Sequence, residues 1–229
     1  MDSHLISHFS SIASGMGGYN LYQIITLTSG MLIWTALYVT LAYRGLKTKF
    51  VQMPALLACG NIDWEFLWGF VFQSKYEVWV MIGVGSAFLI DLIIFYGIWR
   101  YGARYAQPQS LAKDLRWLSV AGVGIWLVVW WTFKAQGLDS DGGGTSGNIL
   151  NALIALLWVY QLFYIQDLKK MSVALGWLKL LADVPIALFM MSVFPDKPFS
   201  YMITWISVLF DIVYIIVYYE KKRRELVIA

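Results

Sequence analysis

Charge is what this chain has least of. Of its 229 residues only 14% are Asp, Glu, Lys or Arg, while 59% are apolar, too little charge to clothe a soluble domain of that length. A single cysteine, Cys59, excludes an intrachain disulfide and any cysteine-rich metal site. No Walker-type loop, HExxH or nucleophile elbow occurs, which removes the commonest nucleotide, zinc-protease and hydrolase signatures. No Asp-rich DDxxD-type motif falls in an apolar run, so the magnesium–diphosphate site of membrane prenyltransferases is missing. The last apolar run has no lysine in its middle for a retinal Schiff base. His4 and His8 stand i and i+4 at the terminus without a third ligand, a weak basis for a metal site. Asp139-Ser140-Asp141 in a glycine-rich connection reads as a solvated loop. A net charge of +3 gives no reason to expect a nucleic-acid partner.

What remains is hydrophobic length. A membrane-crossing helix needs roughly 20 mostly apolar residues, and seven candidate spans satisfy this: 21–43, 53–73, 78–99, 117–134, 148–165, 172–193 and 199–219. The connections carry breakers and charges, including Gln107-Pro108, Gly142-Gly143-Gly144 and Pro195 to Pro198. The first, third and fifth connections and the C-terminal end hold thirteen of the 17 Lys and Arg, against three in the alternate segments. By the positive-inside rule this predicts an all-α integral membrane protein of seven transmembrane helices, with the N-terminus outside or lumenal and the C-terminus cytosolic. The endoplasmic reticulum of a eukaryote and the inner membrane of a bacterium suit that orientation equally.

No internal repeat or soluble insertion is visible, so residues 1–229 read as one transmembrane domain with a basic cytosolic tail at 220–229. Residues 1–20 lack the basic start and compact apolar core of a cleavable signal peptide. Leu5, Phe9, Ile12 and Met16 recur there at helical spacing, which suits a segment lying along the membrane interface, and a plain flexible terminus fits equally well.

Six ionisable residues fall inside the spans: Asp63, Glu65, Asp91, Lys179, Asp183 and Asp211. Each costs roughly 2.5–3.5 kcal/mol at a helix centre on insertion scales, so such groups face the bundle interior and often carry function. Lys179 and Asp183 are i and i+4, spaced to neutralise each other. Asp91 has only apolar neighbours on its own helix and must find its partner on another. Asn61, Glu65 and Trp68 form one stripe on the second span; Thr204, Ser207, Asp211, Tyr214 and Tyr218 form another on the seventh. Glu65 and Asp211 have no cation on their own helices beside them. A desolvated carboxyl without a cation favours its protonated form, and can then act as a general acid or as a helix-to-helix hydrogen bond.

Aromatics are the other excess, 17% of the chain. Trp79, Trp99, Tyr101 and Tyr201 fit interfacial belts. Trp34, Trp64, Trp68, Trp126, Trp158 and Trp205 fall deeper, where an aromatic pocket can shelter a polyene and stabilise carbocations through π faces.

The string Cys59-Gly60-Asn61-Ile62-Asp63-Trp64-Glu65-Phe66 inside the second span resembles the signature of the integral-membrane terpene cyclases of meroterpenoid and indole-terpenoid pathways. The resemblance extends to the basic connection at Tyr43-Arg44-Gly45-Leu46, the acid of the third span and the acid in the middle of the last. It implies that Glu65 and Asp211 are the essential acids, matched by motif and by span respectively, with Asn61, Trp64, Trp68, Asp91 and Tyr214 about the substrate. Asp63, in the variable position of the string, departs from the pattern. The implied activity needs no cofactor: a carboxylic acid protonates a terminal epoxide or alkene of a linear prenyl chain on a polar head group, and a cationic cascade closes rings. The implied partners are a lipophilic prenylated small molecule and membrane lipid. A small proton-coupled transporter relaying protons through Glu65, Asp91 and Asp211 is the alternative.

Overall fold

A computed structural model describes residues 18–72, 78–106 and 108–228. The readings on Leu5, Phe9, Ile12, Met16, His4 and His8 lie outside the described residues. The helices are α1 (Leu21–Thr48), α2 (Ala55–Phe66), α3 (Val78–Tyr101), α4 (Leu115–Ala135), α5 (Gly144–Tyr164), α6 (Val173–Val193) and α7 (Pro198–Ile228). Among the described residues there is no strand.

Local chemistry sets the boundaries. Asn20 and Gln23 form a reciprocal capping box, each side chain accepting the other's backbone N–H at 3.0 Å, and α1 starts there. It ends at Lys49, whose left-handed φ of 56° turns the chain. Pro54 precedes α2, where its missing N–H costs nothing. The Ser172 side chain accepts from Leu175 N to start α6.

Six of the helices are long and apolar enough to cross a membrane. The second predicted span departs from this. Its α-helix covers only Ala55–Phe66 and then widens into a π-helical turn over Leu67–Val71, closed by Phe72 N donating to Leu67 O at 2.6 Å. Such turns recur at functional sites, and this one follows directly on Trp64-Glu65-Phe66. At the other end α7 runs through to Ile228, so the basic segment read as a tail from residue 220 is helical. Lys221 Nζ there donates to Leu162 O at 2.8 Å and to Ile165 O, closing the C-terminus of α5.

Packing neighbours run α1, α6, α7, α5, α2, α3 and back to α1, a closed ring, with α4 leaning on α2 from outside. Close approach is bought by glycine where backbones meet: a Cβ on Gly69 would stand 3.1 Å from the Gly85 backbone of α3. Leu32, Val39, Leu89, Val128, Phe163 and Leu209 point outward, as a surface facing hydrocarbon requires. At the end bearing the basic connections, Gln52 and Ser172 lock to Tyr214. Ser172 N donates to Gln52 Oε1 (3.0 Å), Gln52 Nε2 to Tyr214 Oη (3.0 Å), and Tyr214 Oη to Ser172 O (3.1 Å). This ring ties the first and fifth connections to α7.

Candidate functional site

Inside the ring lies a cavity of about 240 Å³ between α1, α2, α3, α5 and α6. Its walls are apolar near the N-terminus of α1, where Leu27, Met31, Ile186 and Phe194 line it. Polar groups gather toward the bundle centre, where Tyr38, Asn61, Glu65 and Asn151 line it.

Asn61 organises that centre. Its single Nδ2 lies 2.7 Å from Tyr38 Oη, 3.2 Å from Glu65 Oε1 and 2.5 Å from Asp91 Oδ2, so α1, α2 and α3 meet at one amide. The i to i+4 spacing on α2 brings Asn61 to Glu65, and the partner of Asp91 does come from another helix. An amide has two protons for these three acceptors, so the three groups share its donors. Among the described residues neither carboxyl has a salt-bridge partner, and Glu65 Oε2 and Asp91 Oδ1 have no hydrogen-bond partner. Two bare negative charges on one amide in a dry interior would repel strongly.

A second network stands behind the cavity wall. Lys179 Nζ lies 2.7 Å from Asp183 Oδ2 and 3.0 Å from Asp211 Oδ1, and Asn151 Nδ2 donates to Asp183 at 2.8 Å. Lys179 and Asp183 are wholly buried and Asp211 is 1% exposed. The i, i+4 pair on α6 expected from sequence is there, with the acid of α7 added to it. The sequence showed no cation beside Asp211 because Lys179 comes from the neighbouring helix. Glu65 and Asp211 therefore belong to separate networks, and Asp211 does not line the cavity. Two cavity residues touch this network: Asn151, and Trp34, whose ring centroid is 5.6 Å from Lys179 Nζ.

The cavity mouth is shaped by the glycine-rich connection. Gly142 and Gly143 have φ of 68° and 74°, a region that favours glycine, and a Cβ on Gly143 would meet Trp68 Nε1 at 2.4 Å. The turn instead of a Cβ thus receives the Trp68 edge. Asp139 Oδ1 accepts Ser146 N at 3.0 Å and its other oxygen takes the Ser146 hydroxyl, while Trp64 Nε1 donates to Ser146 Oγ at 2.8 Å. Asp139 is half-buried at the first turn of α5, tied to its neighbours rather than free in solvent. Burial raises its carboxyl above the ordinary value, and the Ser146 hydrogen bonds pull the other way.

Of the residues expected at the site, Asn61, Trp64 and Glu65 line the cavity, and Asp91 sits one hydrogen bond behind them. Trp68 packs under Gly143, and Tyr214 belongs to the ring at the basic end; neither lines the cavity. Asp63 is buried without lining it. Of the deeper tryptophans, Trp34 and Trp64 face the cavity; Trp126 stacks on Trp130 with centroids 4.8 Å apart, and Trp158 packs on Tyr214. Sequence reasoning passed over Tyr38 and Asn151. The available signals were the i, i+4 aromatic pair Trp34/Tyr38 and the amides Asn148 and Asn151 one turn apart in an apolar span.

Residues 18–224 match the Pyr4-like transmembrane terpene cyclases. Curated relatives include the Pyr4-family terpene cyclase mfmH of Annulohypoxylon moriforme, 31% identical over 104 residues, 44% of this chain and 42% of that protein. The terpene cyclase macJ of Penicillium terrestre is 32% identical over 112 residues, 44% of this chain and 40% of the relative. The terpene cyclase ascF of Acremonium egyptiacum is 24% identical over 128 residues, covering 52% and 43%. The aligned stretch thus spans less than half the length of each relative. No solved structure matches.

Proposed function

Because the chain belongs to the Pyr4-like transmembrane terpene cyclases, we propose that it is a membrane-bound terpene cyclase whose acid is the Glu65–Asp91 pair. The observation that carries the reading is the shared Asn61 amide: two carboxyls without a salt-bridge partner among the described residues, one of them on the cavity surface. Glu65 gives the proton to the terminal epoxide oxygen or alkene carbon of a linear prenyl chain. The electron pairs of the following double bonds then form the ring bonds in sequence, and the last cation loses a proton, so the product is an isomer of the substrate. Asp91 stabilises the proton-loaded state, and the Tyr38 hydroxyl, held by Asn61, faces the same space. Trp34 and Trp64 shelter the travelling charge.

A cavity of about 240 Å³ is below the roughly 300–1,000 Å³ usual for ligand pockets. It suits a coiled prenyl chain, with the polar head group left at the glycine-rich mouth. With the N-terminus on the outer or lumenal side, as the distribution of Lys and Arg indicates, that mouth faces away from the cytosol. A proton relay would instead need polar groups continuing to the basic end. Asp211 serves as a positioning residue, holding Lys179 and, through Asp183, Asn151.

The test is turnover by membranes carrying the full chain. Farnesylated and geranylgeranylated aromatic substrates are supplied, each with and without a terminal epoxide. An isomeric ring product, identified by chromatographic shift and NMR and lost in Glu65→Gln, supports the cyclase. No product from any of the four, with folded protein verified, rejects it.

A further inference from the structure

A second cavity, of about 510 Å³, lies at the opposite end of the bundle, between α2 and α4 and beneath the first, third and fifth connections. Two short 3₁₀ turns, Gly102–Tyr105 and Gln109–Leu111, stand at its rim. Its volume is in the range of ligand pockets, and its walls are hydrocarbon in character, with Leu115, Leu118 and Ile125 on the α4 side. Nothing in the cyclase reading uses it.

Two further observations define what would fill it. Gln161 lines the cavity at 8% exposure with its side chain against the Tyr164 hydroxyl, and among the described residues its Oε1 has no hydrogen-bond partner. A buried amide oxygen left without a donor costs about 1–3 kcal/mol, so the space beside it calls for a donor. At the rim the charge is positive. Lys170 Nζ stands 4.7 Å from the ring centroid of Tyr105, a lining residue, with only a 3.9 Å approach to Asp167 on its other side. Arg104 lies in the first rim turn, and Arg116 is held on Trp99 O at 3.3 Å.

An apolar slot, one orphan acceptor and cations at the mouth together describe an amphiphile. It has a hydrocarbon chain, an anionic head and at least one hydroxyl. We propose that this cavity binds an acyl chain of an anionic, hydroxyl-bearing phospholipid from the surrounding leaflet, its phosphate beside Lys170 and Arg104 and a hydroxyl donating to Gln161 Oε1. The site also bears on the first cavity. Cys59 lines it, one half-turn from Asn61, and packs against Gly122 of α4 through its Sγ, which lies 3.2 Å from Ala55 O and 3.4 Å from Ser119 O. A lipid seated there braces the α2 helix that carries Asn61 and Glu65 from the side away from the substrate.

Native mass spectrometry of the purified full chain in detergent tests this, titrating phosphatidylglycerol and phosphatidylcholine of identical acyl chains. The expected result is at least tenfold tighter retention of phosphatidylglycerol. Gln161→Leu and Lys170→Gln should each reduce that preference several-fold, about 1 kcal/mol for a lysine at an anionic surface. Ala121→Trp, on the cavity wall, should displace the lipid. Thermal unfolding of each variant in the same detergent checks that it is folded. Equal retention of the two lipids, no adduct with either, or variants that keep the full preference while folded would each overturn the proposal. So would displacement of phosphatidylglycerol by an equimolar farnesylated phenol, which would make the cavity an entry for substrate.

Discussion

Lys179 and Asp211 meet at 3.0 Å across two helices, the lysine wholly buried and the aspartate 1% exposed. This pair decides how the last helix is read. An ammonium buried between two carboxylates is a strong fastener. Removing one partner of a buried ion pair costs about 3–5 kcal/mol, because the other charge is left without compensation. Lys179→Met should therefore lower the yield of folded protein and the unfolding temperature. Combining Lys179→Met with Asp183→Asn and Asp211→Asn, which removes all three charges, should restore much of the loss. Normal stability of Lys179→Met alone would contradict the fastener role.

Glu65→Gln and Asp91→Asn should behave differently. Both keep the size and hydrogen-bonding capacity of the originals, so the Asn61 junction survives and the protein unfolds at nearly its original temperature. Removing a positioned general acid costs typically 10²–10⁴-fold in rate, and Glu65→Gln should lose at least that. Asp91→Asn should retain more, because it removes only the group that steadies the proton. Turnover by chromatography, paired with thermal unfolding on the same preparations, separates the two classes. A dead but stable Asp211→Asn beside a fully active Glu65→Gln would invert the assignment.

Two glycines offer a matched contrast. Gly143 has a positive φ, and a Cβ there would stand 2.4 Å from the Trp68 indole; Gly124 of α4 has nothing within 4 Å. Gly143→Ala should unfold at lower temperature and disturb turnover, since Gly143 also lines the mouth. Gly124→Ala should be neutral or stabilising by up to about 1 kcal/mol, the helix-propensity difference. Thermal unfolding of the two variants side by side is the measurement.

Asp139 supplies a pH test outside the spans. Burial holds its carboxyl above the ordinary value, so its contribution to stability is full below the unfolded value of about 3.9 and is lost as pH rises through the folded value. Asp139→Asn keeps an acceptor for Ser146 N and does not titrate. The unfolding temperature of the variant relative to wild type should therefore rise as pH is raised from about 4 toward neutral. A difference that stays flat across that interval would show that Asp139 makes no such contribution.

The sequence made the helices legible because hydrophobic length is a local property. It made the Asn61–Glu65 and Lys179–Asp183 contacts legible because i and i+4 are neighbours on any helix. It could not show that Glu65 and Asp211 stand in separate networks, since both lie on polar stripes without a cation on their own helix, and only the packing of α6 against α7 brings Lys179 to Asp211. Tyr38 was hidden for the same reason: its role arises where α1 meets α2. The π turn at Leu67–Val71 was equally invisible, because its residues are as apolar as those of an ordinary span.

The polar junctions also bear on how the chain enters the bilayer. Lys179 carries Asp183 on its own helix, so α6 can leave the translocon already compensated. Asp211 follows in α7, when that lysine is in place to receive it. Asn61 precedes Asp91 in the same way. At both junctions synthesis supplies the receiving group before the later acid arrives.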